Sequence, residues 1–250
     1  MSGSEEMYRE ELDRFYQRSW EKRGDVLSPS QQRRVEIVNR FLNRLLPESA
    51  VQRDLLQVLD YGCGGGWFLK VLGAVGFRQL HAYDVTPSVL EATAEKYPHV
   101  TFWEGNIHFP SVLPEQTFDL ITSIEVVEHI PVVQKQAYFA DLYRITRPNA
   151  IVILTTPNGA LKRLALPPEE AQPVEDWVTL RDLKNLAQSA GFTVVAAGTE
   201  GVRRYGFAHD RILLSYRLRQ LLLKLSLWDT YERFLGKLRL GITMYIVLQR

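Results

Sequence analysis

Two short stretches carry residues that could do chemistry. In "EVVEHI" (125–130) two acids and a histidine, Glu125, Glu128 and His129, stand almost side by side. An imidazole titrates near neutrality without help, so His129 is a candidate general base, with Glu128 as its neighbour in catalysis. The plainer alternative is that these side chains hold a loop and a ligand by hydrogen bonds. In "LQVLDYGCGGGWFLKVLGAVG" (56–76) an apolar run meets Gly62, Gly64, Gly65 and Gly66, and an amphipathic helical pattern follows. A strand, a glycine turn and a helix N-terminus in that order cradle a nucleotide-like ligand. Small residues let the backbone come close, and the helix end presents free N–H groups.

The spacing narrows the ligand. A dinucleotide fingerprint places glycines at positions one, three and six, and position six counted from Gly62 is Trp67. A phosphate loop ends in Gly-Lys-Ser or Gly-Lys-Thr, which this turn lacks. Asp60 stands at the mouth of the turn, where a carboxylate repels a pyrophosphate and suits a ligand with an ammonium group, such as the methionine part of S-adenosylmethionine. Asp84 ends the next strand, 22 residues after Gly62, where an acid can accept from ribose hydroxyls; it could equally serve as a favourable charge at a helix N-terminus. Asn106 and Ile107, in "EGNIHFP", offer a polar reader and an apolar wall for adenine. His108, beside them, reads as structural. His209 could face a substrate or simply be solvated.

These residues need a frame. Strand-like runs at "LQVLDYG", "QLHAYDV", "VTFWEG", "FDLITSIEV", "AIVILTTPN" and "FTVVAAG" alternate with helical patterns over 67–75, 87–97, 132–146 and 180–190. Thr86 before Pro87 predicts an N-cap, and Gly191 a helix C-terminus. The alternation predicts an α/β fold with a parallel sheet covered on both faces, and every motif above falls at the carboxyl end of a strand, where such sheets bind ligands. Two further helices are expected before residue 50, with Tyr16 and Trp20 on one face as ordinary packing or as part of a cap. "ITMYIVLQR" reads as one more strand, preceded by a helical lid insert over 202–240.

Taken together, "VLDYGCGGGWFL", "AYDVTPSVLEAT", "EGNIHFP", "FDLITSIEVVEHIP", "RITRPNAIVILTTPN" and "LKNLAQSAGFTVV" resemble class I S-adenosylmethionine-dependent methyltransferases, most of all the branch of the ubiquinone-biosynthesis O-methyltransferases. The resemblance covers about residues 55–200. It implies a Rossmann-like seven-stranded sheet with an antiparallel last strand, S-adenosylmethionine as cofactor, and a cofactor site of Asp60, Gly62, Gly64, Asp84, Val85, Asn106, Ile107, Ile124 and Glu125. The expected organisation is a helical cap over 1–50 and a methyltransferase domain over 51–250. "EVVEHI" is also similar to the E-x-x-E-H motif with which some relatives bind a divalent metal through residues at the positions of Glu125, Glu128 and His129. The histidine expected later in that pattern is replaced here by Glu175, in "EDW", which could stand in as an oxygen ligand; the expectation is no metal, with a divalent ion as the lesser alternative.

Bulk composition sets limits. The chain has 250 residues, 46% hydrophobic, a net charge of +1 and one cysteine, Cys63. That balance gives no global argument for nucleic acid, and a lone cysteine fits a reducing cytosol. No N-terminal h-region and no apolar run of membrane-spanning length is present. Residues 202–240 carry nine basic residues against three acids, with leucines between them. They read as a lid with a solvated basic rim, or as a peripheral membrane or anionic-substrate surface. The sequence thus points to methyl transfer onto a small molecule, most plausibly at a hydroxyl. RNA methylation and a non-catalytic partner subunit are the alternatives.

Overall fold

The computed structural model describes residues 3–21, 26–49, 51–164, 174–201 and 216–250. The apolar runs pair into one seven-stranded sheet: β1 Gln57–Tyr61, β2 Gln79–Asp84, β3 Thr101–Glu104, β4 Phe118–Ile124, β5 Thr146–Pro157, β6 Thr193–Glu200 and β7 Thr243–Gln249. The order is β3-β2-β1-β4-β5-β7-β6. Neighbours from β3 to β5 are parallel, and β7 runs antiparallel between β5 and β6, as expected. Central β1, β4 and β5 are buried almost throughout, which is why they read as continuous apolar runs and not as alternating ones. Edge strand β3 is short and partly exposed.

Helices α1 Gly3–Glu21, α2 Pro29–Leu45, α3 Trp67–Ala74, α4 Pro87–Lys96, α5 Lys135–Ile145, α6 Leu180–Ser189, α7 Tyr216–Lys224 and α8 Trp228–Lys237 surround the sheet. Two apolar clusters result. In one, Tyr138, Phe139 and Leu142 of α5 and Leu183 of α6 meet Leu59, Ile121 and Val152. In the other, Ile37, Val38, Phe41 and Leu42 of α2 meet Val58, Phe68, Leu72 and Phe77. α2 is begun by a capping box, in which Ser28 accepts from the Gln31 N–H and Gln31 reaches back to Ser28. Gly191 has φ +104°, the left-handed conformation expected where α6 ends.

Local start signals differ from expectation in two places. Thr86 precedes α4, but its side chain makes no cap bond. Asp84 instead accepts the Thr86 N–H at 3.0 Å, and Asp13 of α1 accepts from the Ser88 N–H and hydroxyl at 3.0 and 2.8 Å. A carboxylate from another helix thus supplies the charge that α4 favours at its N-terminus. The helix expected from Val132 begins at Lys135, because Val132–Gln134 winds as a tighter 3₁₀ turn.

Of the expected insert, residues 202–215, His209 among them, lie outside the described residues, and so does the side chain of Trp20. Described α7 and α8 stand between β6 and β7, and α8 packs on β6. No helix among the described residues is long and apolar enough to cross a membrane.

Arg53, 4% exposed, staples α2 to the sheet layer. Its guanidinium donates to the carbonyls of Leu46 and Val75 and to Asn43 Oδ1 at 2.8–3.1 Å, and it lies over the Phe77 ring. Arg53→Met keeps the apolar stem and strands those acceptors, so urea denaturation should show a loss of about 3 kcal/mol.

Candidate active site

A cavity of about 460 Å³ opens at the carboxyl ends of β1, β2 and β4, the position that α/β topology favours for a ligand. Its floor is the glycine turn. Gly62 sits at φ +77°, and an added Cβ would stand 2.5 Å from Val126 Cγ2, so the position needs glycine twice over. The N–H groups of Gly62 and Cys63 donate to the Tyr83 carbonyl at 2.7 and 3.0 Å. Gly64, also at positive φ, donates its N–H to Asp84 Oδ2 at 2.8 Å.

The expected cofactor residues divide between wall and foundation. Gly62, Gly64, Asp84, Val85, Asn106, Ile107, Ile124 and Glu125 all line the cavity. Burial raises the pKa of Asp84, against the opposing pull of its backbone hydrogen bonds. Asn106 Oδ1 accepts the His108 N–H at 2.9 Å, which fixes the adenine-side loop; His108 itself is exposed. Asp60 is not among the lining residues. It is 2% exposed beneath the turn, where Thr122 Oγ1 donates to one carboxyl oxygen at 2.9 Å. The other finds no hydrogen-bond partner among the described residues. Burial, with the charge of Asp84 adding to it, pushes the Asp60 carboxyl up to about 7. Asp60 therefore bears on a ligand through its field and not through the cavity wall.

The acidic-histidine motif forms the opposite wall. Glu125 has the left-handed φ of +59°. Its carboxylate accepts from Arg34 Nη2 of α2 at 2.7 Å and from Thr155 Oγ1 at 3.0 Å. Glu128 is buried and accepts from Thr156 Oγ1 at 2.9 Å. Burial and the charge of Glu125 hold its carboxyl well above the usual carboxylate range. His129 Nδ1 lies 3.0 Å from the Val174 carbonyl. A carbonyl can only accept, so the ring proton sits on Nδ1 and Nε2 keeps its lone pair. Burial lowers the His129 pKa, and the charge of Lys135 pushes the same way. Both effects favour the neutral imidazole.

Chain segments far apart in sequence complete this wall. The Asp176 N–H donates to the Glu128 carbonyl at 2.8 Å, Asp176 Oδ2 accepts from the Val132 N–H at 3.0 Å, and Glu175 and Trp177 line the cavity. The "EDW" letters therefore do meet "EVVEHI". The two carboxylates of that motif are turned to their own protein partners, however, and no group of three His, Cys, Asp or Glu among the described residues could hold a metal ion. Leu12, Phe15 and Tyr16 of α1 and Gln31 and Arg34 of α2 close the cavity from above, and Tyr16 meets His129 edge-on at 6.0 Å between ring centres. Sequence reasoning missed Arg34. Its only local signal is the polar pair Gln31 and Arg34, one helical turn apart behind a capping box.

The profile of the methyltransferase-domain family matches residues 30–197. A ubiquinone biosynthesis O-methyltransferase of Rickettsia akari (strain Hartford) is 33% identical over 130 residues, 49% of each chain. The protein of that name from Rickettsia prowazekii (strain Madrid E) is 26% identical over 180 residues, 68% of each. The matching segment of the chain spans about half the length of most such relatives. A solved S-adenosylmethionine dependent methyltransferase from Mesorhizobium loti shares the fold, with a TM-score of 0.56 at 16% identity over 84% of this chain and 96% of its own.

The Asp60 geometry has a measurable consequence. A carboxyl whose pKa is higher folded than unfolded binds its proton more tightly in the folded state. Its contribution to stability is full below the ordinary value near 4 and is lost as pH rises through about 7. Melting temperature of the cofactor-free protein, followed from pH 5.5 to 8.5, should fall with pH. Asp60→Asn should flatten that fall and leave the protein the more stable of the two at pH 8.5.

Proposed function

The chain belongs to the methyltransferase-domain family, and on that premise we propose that it moves a methyl group from S-adenosylmethionine to a hydroxyl oxygen of a small molecule. The observation that carries the acceptor chemistry is His129, with its proton fixed on Nδ1 and an unprotonated Nε2 in the wall opposite the glycine turn.

The donor set fits the cofactor. The turn at Gly62 and Gly64 receives the methionine end, with the Asp60 carboxylate beneath it balancing positive charge. Asp84 and Val85 take the ribose, Asn106 and Ile107 the adenine, and Ile124 and Glu125 flank the methionine side. Bound there, S-adenosylmethionine supplies an electrophilic methyl group on a sulfonium centre. The chain's own work is alignment and proton removal. Tyr16, Trp177 and Ile130 form an apolar wall for the acceptor, and His129 Nε2 takes the hydroxyl proton as the oxygen gains the methyl. Glu125, tied to Arg34, orients α2 over the site. No step is assigned to a metal ion.

The names of the relatives support O-methylation, and the residue 1–50 helices act in this reading as a cap. Their enclosure of the cavity favours a small acceptor over an RNA strand, and the complete glycine turn favours an enzyme over a non-catalytic subunit.

Calorimetry with S-adenosylhomocysteine on folded protein should show binding; its absence would sink the proposal. Methyl-labelled cofactor offered with phenols, alcohols, amines and carboxylic acids should label a hydroxyl compound. Label in the amines alone would overturn the acceptor class. With an acceptor in hand, His129→Gln should lower kcat about 10²–10⁴-fold while the cofactor product still binds. Wild type should lose activity only below the ordinary imidazole range, because the His129 pKa is lowered, and the variant should lack that acid limb.

A further inference from the structure

The segment that leaves β6 and returns as β7 does so at the carboxyl end of β5, where Pro157 faces Thr243 in register. It therefore emerges at the same end of the sheet as the cavity. Its described part, α7 and α8, has a surface unlike the rest of the molecule. Leu221, Leu223, Leu225 and Leu227 are 46–56% exposed along the end of α7 and the turn into α8, and Phe234 of the second helix and Leu238 just after it are exposed as well. Arg217, Arg219, Lys224, Lys237 and Arg239 are exposed around them. Glu232 is the only acid among the described side chains of the pair, and Arg33 of α2 already engages it at 3.1 Å.

We propose that α7 and α8 form a docking surface for an anionic phospholipid bilayer, with the leucine-bearing turn entering the headgroup region and the arginines and lysines meeting lipid phosphates. The combination decides the partner. Aliphatic side chains in reach of basic ones match an acyl layer beneath an anionic headgroup layer. A second copy of the same surface would bring like charges together. Single-stranded nucleic acid stacks on aromatic platforms, whereas five of the six exposed apolar side chains here are leucines. The remaining contacts of the segment hold it to the domain: Thr199 Oγ1 donates to the Gly236 carbonyl at 3.0 Å, and Asn158 Nδ2 donates to the Gly241 carbonyl at 2.8 Å. These contacts tie the second helix and the loop after it to β6 and to the end of β5, so that the docking face lies on the cavity's end of the sheet, and the cavity would open toward lipid-dissolved acceptors.

Vesicle flotation of the full chain tests this, with phosphatidylcholine alone and with phosphatidylcholine containing phosphatidylglycerol. Binding is expected to the anionic vesicles at low salt, to weaken steeply with added salt, and to be absent on the neutral ones. Arg217→Glu/Lys224→Glu should lower the partition coefficient by about thirtyfold or more, at about fivefold for each basic residue lost. Leu223→Asn/Leu225→Asn should abolish binding with the net charge unchanged. Both variants change exposed side chains, and unaltered S-adenosylhomocysteine binding verifies their fold and separates this result from the cofactor reading. No flotation of wild type on anionic vesicles at low salt would overturn the proposal. So would a stable dimer that the leucine variant dissolves, or RNA binding that the vesicles do not compete.

Discussion

Asp84 holds together three turns that build the site. Its side chain takes the N–H of Gly64 from the turn after β1 and the N–H of Thr86 from the turn after β2. Its backbone carbonyl takes the N–H of Gly105 from the turn after β3, at 2.8 Å. A carboxylate buried this deeply is tolerable only because backbone donors replace the water it has lost. The same donors would be orphans without it. Position and identity therefore depend on each other: the glycine turn keeps its shape because an acid stands there, and the acid stays ionisable because the turn faces it.

The opposite wall follows a related rule with a different remedy. Glu125 is neutralised by Arg34 from the overlying helix, whereas Glu128, which lacks an arginine partner of that kind, is pushed toward its protonated form. The packing of α2 over the cavity therefore sets electrostatics as well as access. Two other arginines of α2 reach outward, Arg40 to Glu200 and Arg33 to Glu232. Pairs this exposed contribute little to stability, and the apolar face of α2 does the anchoring. Of the polar side of α2, Gln31 and Arg34 are the residues that line the cavity.

How much of this could be read in advance follows from the range of each interaction. The strands and helices were visible because burial on both sheet faces leaves unbroken apolar runs, and because glycine and proline punctuate them locally. The cavity-lining positions of Asp84, Asn106 and Glu125 followed from their place at strand ends. The burial of Asp60 did not, because strand alternation turned its carboxyl under the floor toward Thr122, a residue on a neighbouring strand 62 positions away. Arg34 looked like one more charge on a solvated helix face, since its partner lies 91 positions on. Likewise the tautomer of His129 rests on Val174, 45 positions on, and no motif encodes it. Chemistry carried by side-chain type and strand end was readable; chemistry carried by distant partners was not.

The two groups that matter most to the proposed reaction are moved in opposite directions by one cause. Burial favours the neutral form of each, raising the Glu128 pKa and lowering that of His129. A buried wall of that kind favours a step in which the sulfonium charge is dispersed. In the proposed step, Nε2 takes the hydroxyl proton and the resulting imidazolium stands 3.8 Å from Glu128 Oε1. The carboxyl beside it then loses proton affinity, and the new charge can be shared across the pair without help from solvent. This arrangement needs the acid and the histidine adjacent, as "EH" places them, and it needs both buried. A metal ion would require the reverse, with ionised carboxylates turned toward a common point. The same letters can serve either chemistry, and in the proposed reading the partners of each side chain, Arg34, Thr155, Thr156 and Val174, direct them to proton transfer.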